Sequence, residues 1–248
     1  MHIYAGLMVW RDMSARHGQC LADLQLLCQE RGIGFTNGTI YGDALVSRAQ
    51  SIAASMFLRS DADVMWTCGS DTLFDPDDVI AMCQKACDGH DIIGAVVMKR
   101  AENPSIACPL PPGEWITLDG DSAPVETSIM GTGFSATHRR VFEKLVDSMP
   151  LCHQDHAEPW WPFYMPMVVE DDKAGNLYLS EDWALAYRAK AAGFRCWIDP
   201  SVRVAHLSTT ALTLEDLLRP GRAEPMPMRL REREDGRIEV AVPEGMMV

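Results

Sequence analysis

The first hundred residues alternate between short apolar runs and stretches in which apolar residues recur every three or four positions. Four apolar runs predict strands, at residues 2–10, 35–41, 63–68 and 92–98. Between them, helical spacing predicts three helices: one over Cys20 to Glu30, one capped by Asp43 and one capped by Asp75. Strands and helices in this alternation favour an α/β fold, with a mostly parallel central sheet and helices on both faces.

After residue 100 the pattern is less regular. Two long segments that contain proline, 101–128 and 150–179, predict surface excursions, and loops of this length are usually functional or mobile. The remaining predicted elements are a strand over 128–136, a helix near Val141 to Val146, a helix from Ser180 to Ala192 and strands over 194–198 and 202–206. Arg139 and Arg140 precede the first of these helices, and we expect both to be solvated.

Length and charge indicate one acidic body and a neutral arm. A chain of 248 residues suits a single domain of this fold class. The net charge of −13 disfavours general binding to nucleic acid or to anionic lipid. Residues 219–248 carry six Arg and six acids, so the net charge belongs to residues 1–218. We expect residues 219–248 to form an extended, Pro-containing arm that serves self-association or forms a lid.

Several classes of segment are not predicted. The apolar run at the start has no basic residues before it and is followed by Arg11 and Asp12, which favours a strand over a signal peptide. No stretch of 18 apolar residues predicts a membrane span. We therefore expect a cytoplasmic protein with its eight cysteines reduced. The string Cys152 to His156 lacks a second cluster at ligand spacing, so we do not expect a structural zinc.

Polar residues with candidate chemistry follow the predicted strands or open the predicted helices. In chain order they are Asp71, the pair Gly131 and Gly133, the pair Glu181 and Asp182, and His206. Ligands of open parallel sheets bind beyond the carboxyl ends of the strands, where such residues meet. Each also has a structural interpretation: a turn residue, tight packing, acids in a first helical turn, and a core histidine.

The ordered set resembles glycosyltransferases of the GT-A fold, particularly the compact bacterial and phage-type relatives of glycosyltransferase family 2. The resemblance covers about residues 2 to 210. Its motifs are Ala44–Gln50, Gly69-Ser70-Asp71 with Phe74-Asp75-Pro76, Ile93–Lys99, Gly131–Phe134 leading to His138–Phe142, Ser180–Asp182 and Val204–His206.

The resemblance implies transfer of a sugar from a nucleotide-diphosphate donor to a hydroxyl acceptor, with inversion at the anomeric carbon. It assigns Asp71 and His206 to a divalent cation, manganese or magnesium, that neutralises the leaving diphosphate. Gly69 stands where these enzymes commonly have a first acid, so the metal motif has lost a carboxylate. Asp182 is the candidate base and Glu181 its orienting neighbour.

Donor and acceptor sites follow from the same resemblance. Seven residues are candidates for donor binding: Arg11, Asp43, Arg48, Ser70, Lys99, Gly131 and Gly133. Four aromatic residues of the second excursion provide flat faces for an acceptor sugar or else form a core of that loop: Trp160, Trp161, Phe163 and Tyr164. Two alternatives stay open. One is a non-catalytic nucleotide-sugar-binding or structural protein, which Gly69 favours. The other is a nucleotidyltransferase, which the absence of a Gly-rich basic N-terminal loop disfavours.

Overall fold

The computed structural model describes residues 1–99, 106, 115–119, 121–154, 158–171, 175–207, 211–212 and 229–241. Its helices are α1 (Ala15–Glu30), α2 (Val46–Arg59), α3 (Pro76–Cys87), α4 (Arg139–Val146) and α5 (Glu181–Ala191). The strands of the first half are β1 (His2–Val9), β2 (Gly34–Asn37), β3 (Ile40–Tyr41), β4 (Val64–Gly69), β5 (Thr72–Phe74), β6 (Ile92–Ala95), β7 (Ile116–Leu118) and β8 (Val125–Thr127). Those of the second half are β9 (Phe134–His138), β10 (Met167–Asp171), β11 (Gly175–Leu179), β12 (Cys196–Asp199), β13 (Val204–Leu207), β14 (Ala211–Leu212), β15 (Arg229–Glu232) and β16 (Ile238–Ala241).

The central sheet has the order β2-β1-β4-β9-β6-β12-β8, and β3 also pairs with β1. Strands β1, β2, β3, β4, β6 and β12 run in one direction, whereas β9 and β8 run in the other. The expected α/β fold with a mostly parallel sheet is therefore confirmed. Because β9 is antiparallel to both neighbours, its first residues lie beside the carboxyl end of β4.

Helices cover both faces of this sheet. Side chains of β4 alternate between the faces: Trp66 packs with the cluster that includes α1 and α3, whereas Met65 packs with the cluster that includes α2, α4 and α5. Phe57 of α2 and Phe142 of α4 meet edge to face in the second cluster. Burying the apolar stripes of the helices against both faces accounts for the mostly apolar sequences of β1, β4 and β6.

The starts of α2 and α3 differ. Asp75 is the N-cap of α3, as predicted, and its carboxylate accepts a hydrogen bond from the Asp77 N–H. The N-cap of α2 is Leu45, so the prediction that Asp43 caps this helix is wrong. Asp43 lies two residues earlier, where it accepts from the Leu45 N–H and from the guanidinium of Arg48.

The two excursions contain more structure than their prolines suggest. Strands β7 and β8 form within the first, and β10 and β11 form an antiparallel hairpin within the second. Trp160, Phe163 and Tyr164 are buried, and the last two pack in the same core as Phe142. These rings therefore form the local core that was the alternative to an acceptor surface.

Two arginines at the start of α4 are not simply solvated, contrary to expectation. Arg139 donates to the carbonyl oxygens of Ser60 and Ala62, at 2.9 and 3.1 Å, and to others at the end of α2. Arg140 forms an ion pair with Asp91. Carbonyls at a helix C-terminus lack partners within the helix, so Arg139 stabilises the end of α2.

The C-terminal segment is not an extended arm over its described part. Strands β15 and β16 form an antiparallel hairpin, and β16 pairs with β7 of the body. Ile238 and Val240 are buried against Ile116 and Leu118. The expected boundary near residue 218 lies outside the described residues, and both this division and self-association stay predictions.

Candidate functional site

The loop after β4 brings Asp71 and His206 together. Strand β13 pairs antiparallel with β5, which places His206 opposite Thr72. The Leu207 N–H donates to the carbonyl oxygen of Asp71 at 2.7 Å, which fixes the backbone of the loop. As a result the Asp71 Oδ1 lies 3.3 Å from the His206 Nε2.

The hydrogen bond made by the His206 Nδ1 atom determines whether the Nε2 atom faces Asp71 with a proton or with a lone pair. His206 Nδ1 lies 2.7 Å from the carbonyl oxygen of Met98, so Nδ1 carries the proton and donates to it. In the neutral ring, Nε2 then presents its lone pair on the side of Asp71. A second hydrogen bond of this kind orients histidines that bind metals. Lys99, an exposed residue, directly follows Met98.

The pair fits one side of a divalent metal site. Two donor atoms 3.3 Å apart are able to ligate one ion at the typical distances of about 2.0 to 2.2 Å. Among the described residues, no group of three or more His, Cys, Asp or Glu has metal-ligand geometry. An ideal Cβ at Gly69 would lie 2.9 Å from Asp71 Oδ1, so a side chain there would displace the Asp71 carboxylate. Asp71 and His206 are thus two candidate ligands among the described residues, and a bound phosphate is able to supply others.

Asp182 lies in the first turn of α5 and is held from outside that helix. It accepts a hydrogen bond from the hydroxyl of Thr132, in the segment before β9. Thr132 in turn lies 3.1 Å from the side-chain nitrogen of Gln50 in α2. Burial raises the pKa of Asp182 to about 6; the charge of Glu181 acts in the same direction and the Thr132 hydrogen bond against it. A carboxyl with such a pKa is largely ionised at neutral pH and is a stronger base than an exposed aspartate.

A backbone hydrogen bond links the segments next to Asp71 and Asp182, the two candidate carboxylates. The Gly69 N–H donates to the carbonyl oxygen of Gly133 at 3.1 Å, which ties the end of β4 to the segment before β9. Asp71 follows Gly69 by two residues, and Thr132 directly precedes Gly133. The candidate metal ligands and Asp182 therefore lie on the two sides of this one backbone contact, at the carboxyl end of β4.

Gly133 is exposed, and an added Cβ would meet no atom within 4 Å. Tight packing, the structural interpretation of this glycine, is therefore not found. The role of Gly133 and of Gly131 in donor binding stays a prediction.

The other donor candidates cluster near the ends of β1 and β3. Arg48 donates from Nε and Nη2 to Asp43 at 2.7 and 2.8 Å, which lowers the pKa of the Asp43 carboxyl. Arg48 and Asp43, both candidates for donor binding, are thus paired with each other. Arg11 is exposed beside Trp10, with its guanidinium carbon 5.7 Å from the ring centroid. Ser70 donates to the carbonyl oxygen of Asp12 at 3.4 Å.

Sequence reasoning missed four residues of this region. Trp10 and Tyr41 are 50% and 70% exposed, which is unusual for aromatic side chains and leaves their faces open to a ligand. Gln50 and Thr132 hold Asp182 but were not singled out. A signal for Gln50 existed, since it is a polar residue beside Ala49 and Ala53 in the buried stripe of a helix.

No protein-family model matches the chain, and no curated protein matches it. Among solved structures, A197 from STIV is similar over 100% of this chain and 98% of its own, with 16% identity and a TM-score of 0.48. The catalytic domain of Drosophila β1,4-galactosyltransferase 7, solved with xylobiose, is similar over 98% of this chain and 94% of its own, at 11% identity and a TM-score of 0.46. S. aureus TarS 1–349 with UDP-GlcNAc is similar over 82% of this chain and 57% of its own, at 8% identity and a TM-score of 0.43.

Among the described residues, no helix has both the length and the apolar character needed to cross a membrane.

Proposed function

We propose that this protein is a metal-assisted glycosyltransferase that moves a sugar from a nucleotide diphosphate to an acceptor hydroxyl, with inversion. One observation carries the proposal. The Asp71 and His206 pair lies on one side of the backbone hydrogen bond between Gly69 and Gly133, and Asp182 lies on the other side. One side fits a cation and a diphosphate. The other carries a partly buried carboxylate whose raised pKa suits a general base.

In this proposal Asp182 removes the proton of the acceptor hydroxyl while the acceptor oxygen attacks the anomeric carbon. The bond from that carbon to the diphosphate breaks, and the nucleoside diphosphate leaves with the electron pair. A manganese or magnesium ion held by Asp71 and His206 would neutralise charge on the leaving diphosphate. Glu181, beside the base, is placed to accept hydrogen bonds from sugar hydroxyls.

The donor would lie along the ends of β1, β3 and β4. We propose that Trp10 and Tyr41 offer faces for the nucleobase and that Arg11, Ser70 and Lys99 contact the ribose or phosphates. Asp43 and Arg48 would act as a pair, with Asp43 orienting the guanidinium. Gly131 and Gly133 would let the backbone approach the sugar.

A panel of nucleotide sugars tests the proposal. The protein is incubated with each donor, manganese and simple glycoside acceptors, and nucleoside diphosphate release and glycosylated product are measured. We expect one donor class to react, and Asp182→Asn to lower kcat at least about 1000-fold, the scale of losing a base, with donor affinity within about twofold of wild type. Asp23→Asn, which changes an exposed acid of α1, is the matched control.

A non-catalytic nucleotide-sugar-binding protein is the second candidate, favoured by Gly69 and by the lack, among the described residues, of a group of three or more metal-ligating side chains. It predicts donor binding without release of nucleoside diphosphate. Wild-type turnover in Asp182→Asn would refute the base, and binding of nucleotide sugars without any turnover would favour the second candidate.

A further inference from the structure

Two hydrogen bonds in series end on the carboxylate of Asp182. The Thr132 hydroxyl bonds to Asp182, and the Gln50 side-chain nitrogen lies 3.1 Å from the same hydroxyl oxygen. An ionised carboxylate only accepts hydrogen bonds, so the Thr132 hydroxyl must donate to it. The Thr132 oxygen then accepts from the amide NH₂ of Gln50. The direction of the whole chain, from Gln50 through Thr132 to Asp182, follows from this one constraint.

The three residues come from three separate elements, and the central one is fixed on its backbone side as well. Gln50 belongs to α2, Thr132 precedes β9 and Asp182 opens α5. The Thr67 hydroxyl in β4 lies 3.0 Å from the carbonyl oxygen of Thr132 and donates to it. Gln50 is only 3% exposed, so water does not compete for its amide. The position of the Asp182 carboxylate is therefore set by the sheet and by a neighbouring helix.

The surroundings of these two hydrogen bonds are polar but largely uncharged. Among the described residues, the titratable groups that interact with Asp182 are Glu181, from its own helix, and Tyr164, from the segment before β10. Burial and the charge of Asp182 raise the pKa of Tyr164, which keeps its phenol neutral. Within the described part of the chain, the Tyr164 hydroxyl and the Gln50 Oε1 are buried without hydrogen-bond partners. Buried polar atoms are normally paired, so unpaired ones beside a carboxylate indicate a site kept for purposes other than packing.

We propose that Thr132 and Gln50 are positioning residues for the base, which hold the Asp182 carboxylate in one orientation and stabilise its ionised form against burial. This inference rests on the proposed function and extends it to two residues to which that function assigns no role. Thr132 acts directly on the carboxylate. Gln50 acts through Thr132, because its N–H occupies the lone pair of the hydroxyl and so directs the hydroxyl proton at Asp182. Its side chain also interacts with the carboxylate itself and lowers the pKa of Asp182.

A purely structural role for the three residues makes a different prediction. If the chain only satisfied buried polar groups, Thr132→Val would lower stability but would leave the titration of Asp182 unchanged. If the hydroxyl stabilises the ionised carboxylate, its removal takes away the largest contribution that opposes burial and the charge of Glu181, while the Thr132 backbone and the Gln50 side chain still oppose them. The midpoint at which Asp182 loses its proton then moves to higher pH.

The test measures this midpoint directly, by the carboxyl ¹³C chemical shift of Asp182 in the full chain, with Asp182→Asn for assignment. We expect the midpoint to rise by about one pH unit in Thr132→Val and to stay within a few tenths of a unit of wild type in Thr132→Ser, which keeps the hydroxyl. Gln50→Leu should give a smaller rise. Thr137→Val, a buried threonine at the other end of β9, is the matched control and should leave the midpoint unchanged.

Kinetics on the same variants supply the second measurement. In Thr132→Val we expect kcat to fall about 10- to 100-fold, with KM for the donor nearly unchanged. The acidic limb of the pH profile should move to higher pH together with the midpoint. In Thr132→Ser, kcat and the acidic limb should both return to their wild-type values. An unchanged midpoint in Thr132→Val, or an equal loss in Thr132→Ser, overturns the inference even if the wild type transfers sugar. A shifted midpoint in a protein that transfers no sugar supports the hydrogen-bond chain and refutes the proposed function instead.

Discussion

Ionisation of Asp182 costs folding free energy, and that cost is measurable without any substrate. Its pKa of about 6 in the folded protein lies above the ordinary value of 3.8. Between these two pH values the folded protein keeps a proton that the unfolded chain has lost, so stability falls as the pH rises through this window. Below the window both states are protonated and the cost is absent.

Asp182→Asn should therefore stabilise the protein in a pH-dependent way. The amide keeps the shape and the acceptor oxygen for Thr132 but carries no charge. Relative to wild type, we expect a gain of up to about 3 kcal/mol at pH 7, since the two pKa values differ by roughly two units, and almost no gain near pH 4. Urea unfolding from pH 4 to 7 measures the difference.

In the same experiment Asp23→Asn should differ from wild type by a constant amount, because the Asp23 side chain is exposed. A difference for Asp182→Asn that does not change with pH would mean that Asp182 titrates normally in the folded protein.

At the scale of single residues, the sequence predicted which residues belong to the candidate site better than it predicted which residues they contact. Asp71 and His206 were singled out by their order along the chain, and the structure places them 3.3 Å apart. Their role as metal ligands stays a prediction. Arg48 had two interpretations from the sequence, a contact with the diphosphate or a solvated helix residue, and neither included its ion pair with Asp43. Its contact with phosphate stays a prediction. Thr132 lies in the motif Gly131–Phe134, but no role was predicted for it, since its contact is with a residue fifty positions away.

At the scale of elements, apolar periodicity predicted which segments form strands and helices in the first half, but not how the strands pair. The insertion of β9 antiparallel between β4 and β6 depends on contacts across more than forty residues. The short strands β7, β10 and β11 lie among prolines and polar residues, and tertiary pairing outweighs their weak local preference. β16 was missed for the same reason: its partner β7 is more than one hundred residues earlier.

The packing of the C-terminal hairpin gives an element-scale prediction. Val240 is completely buried between β16 and β7, so Val240→Ala should remove contacts and leave a small cavity. We expect a loss of about 1 to 3 kcal/mol in the free energy of unfolding. The measurement is chemical denaturation, with Glu232→Ala, an exposed change in the same hairpin, as control.

Both variants should unfold at the same denaturant concentration as wild type if the segment from residue 229 is an independent arm. A loss confined to Val240→Ala shows instead that the hairpin and the body unfold together. The same result would place the predicted boundary near residue 218 within one cooperative unit, since stability lost at β16 would then be lost by the central sheet as well.

At the scale of the whole molecule, the net charge of −13 works against the proposed donor. A nucleoside diphosphate is itself an anion, and an acidic body repels it. Near the candidate site Lys99 and Arg11 are exposed cations, but Asp71 and Glu181 add negative charge there, and the positive charge of Arg48 is already opposed by Asp43. A divalent cation held by Asp71 and His206 would reverse the local sign.

Nucleotide binding should therefore depend on a divalent metal. For the nucleoside diphosphate of the preferred donor, we expect manganese to lower Kd at least about tenfold in the wild type, equivalent to about 1.4 kcal/mol. In Asp71→Asn the same addition should change Kd by less than about threefold, because one of the two protein ligands becomes a neutral amide that binds metal weakly. Calorimetry with manganese and with a chelator measures both values, and Asp23→Asn should respond as the wild type does. Equal affinity in manganese and in chelator would remove the metal from the proposal. The base and the hydrogen-bond chain behind it would remain testable, since neither depends on a bound cation.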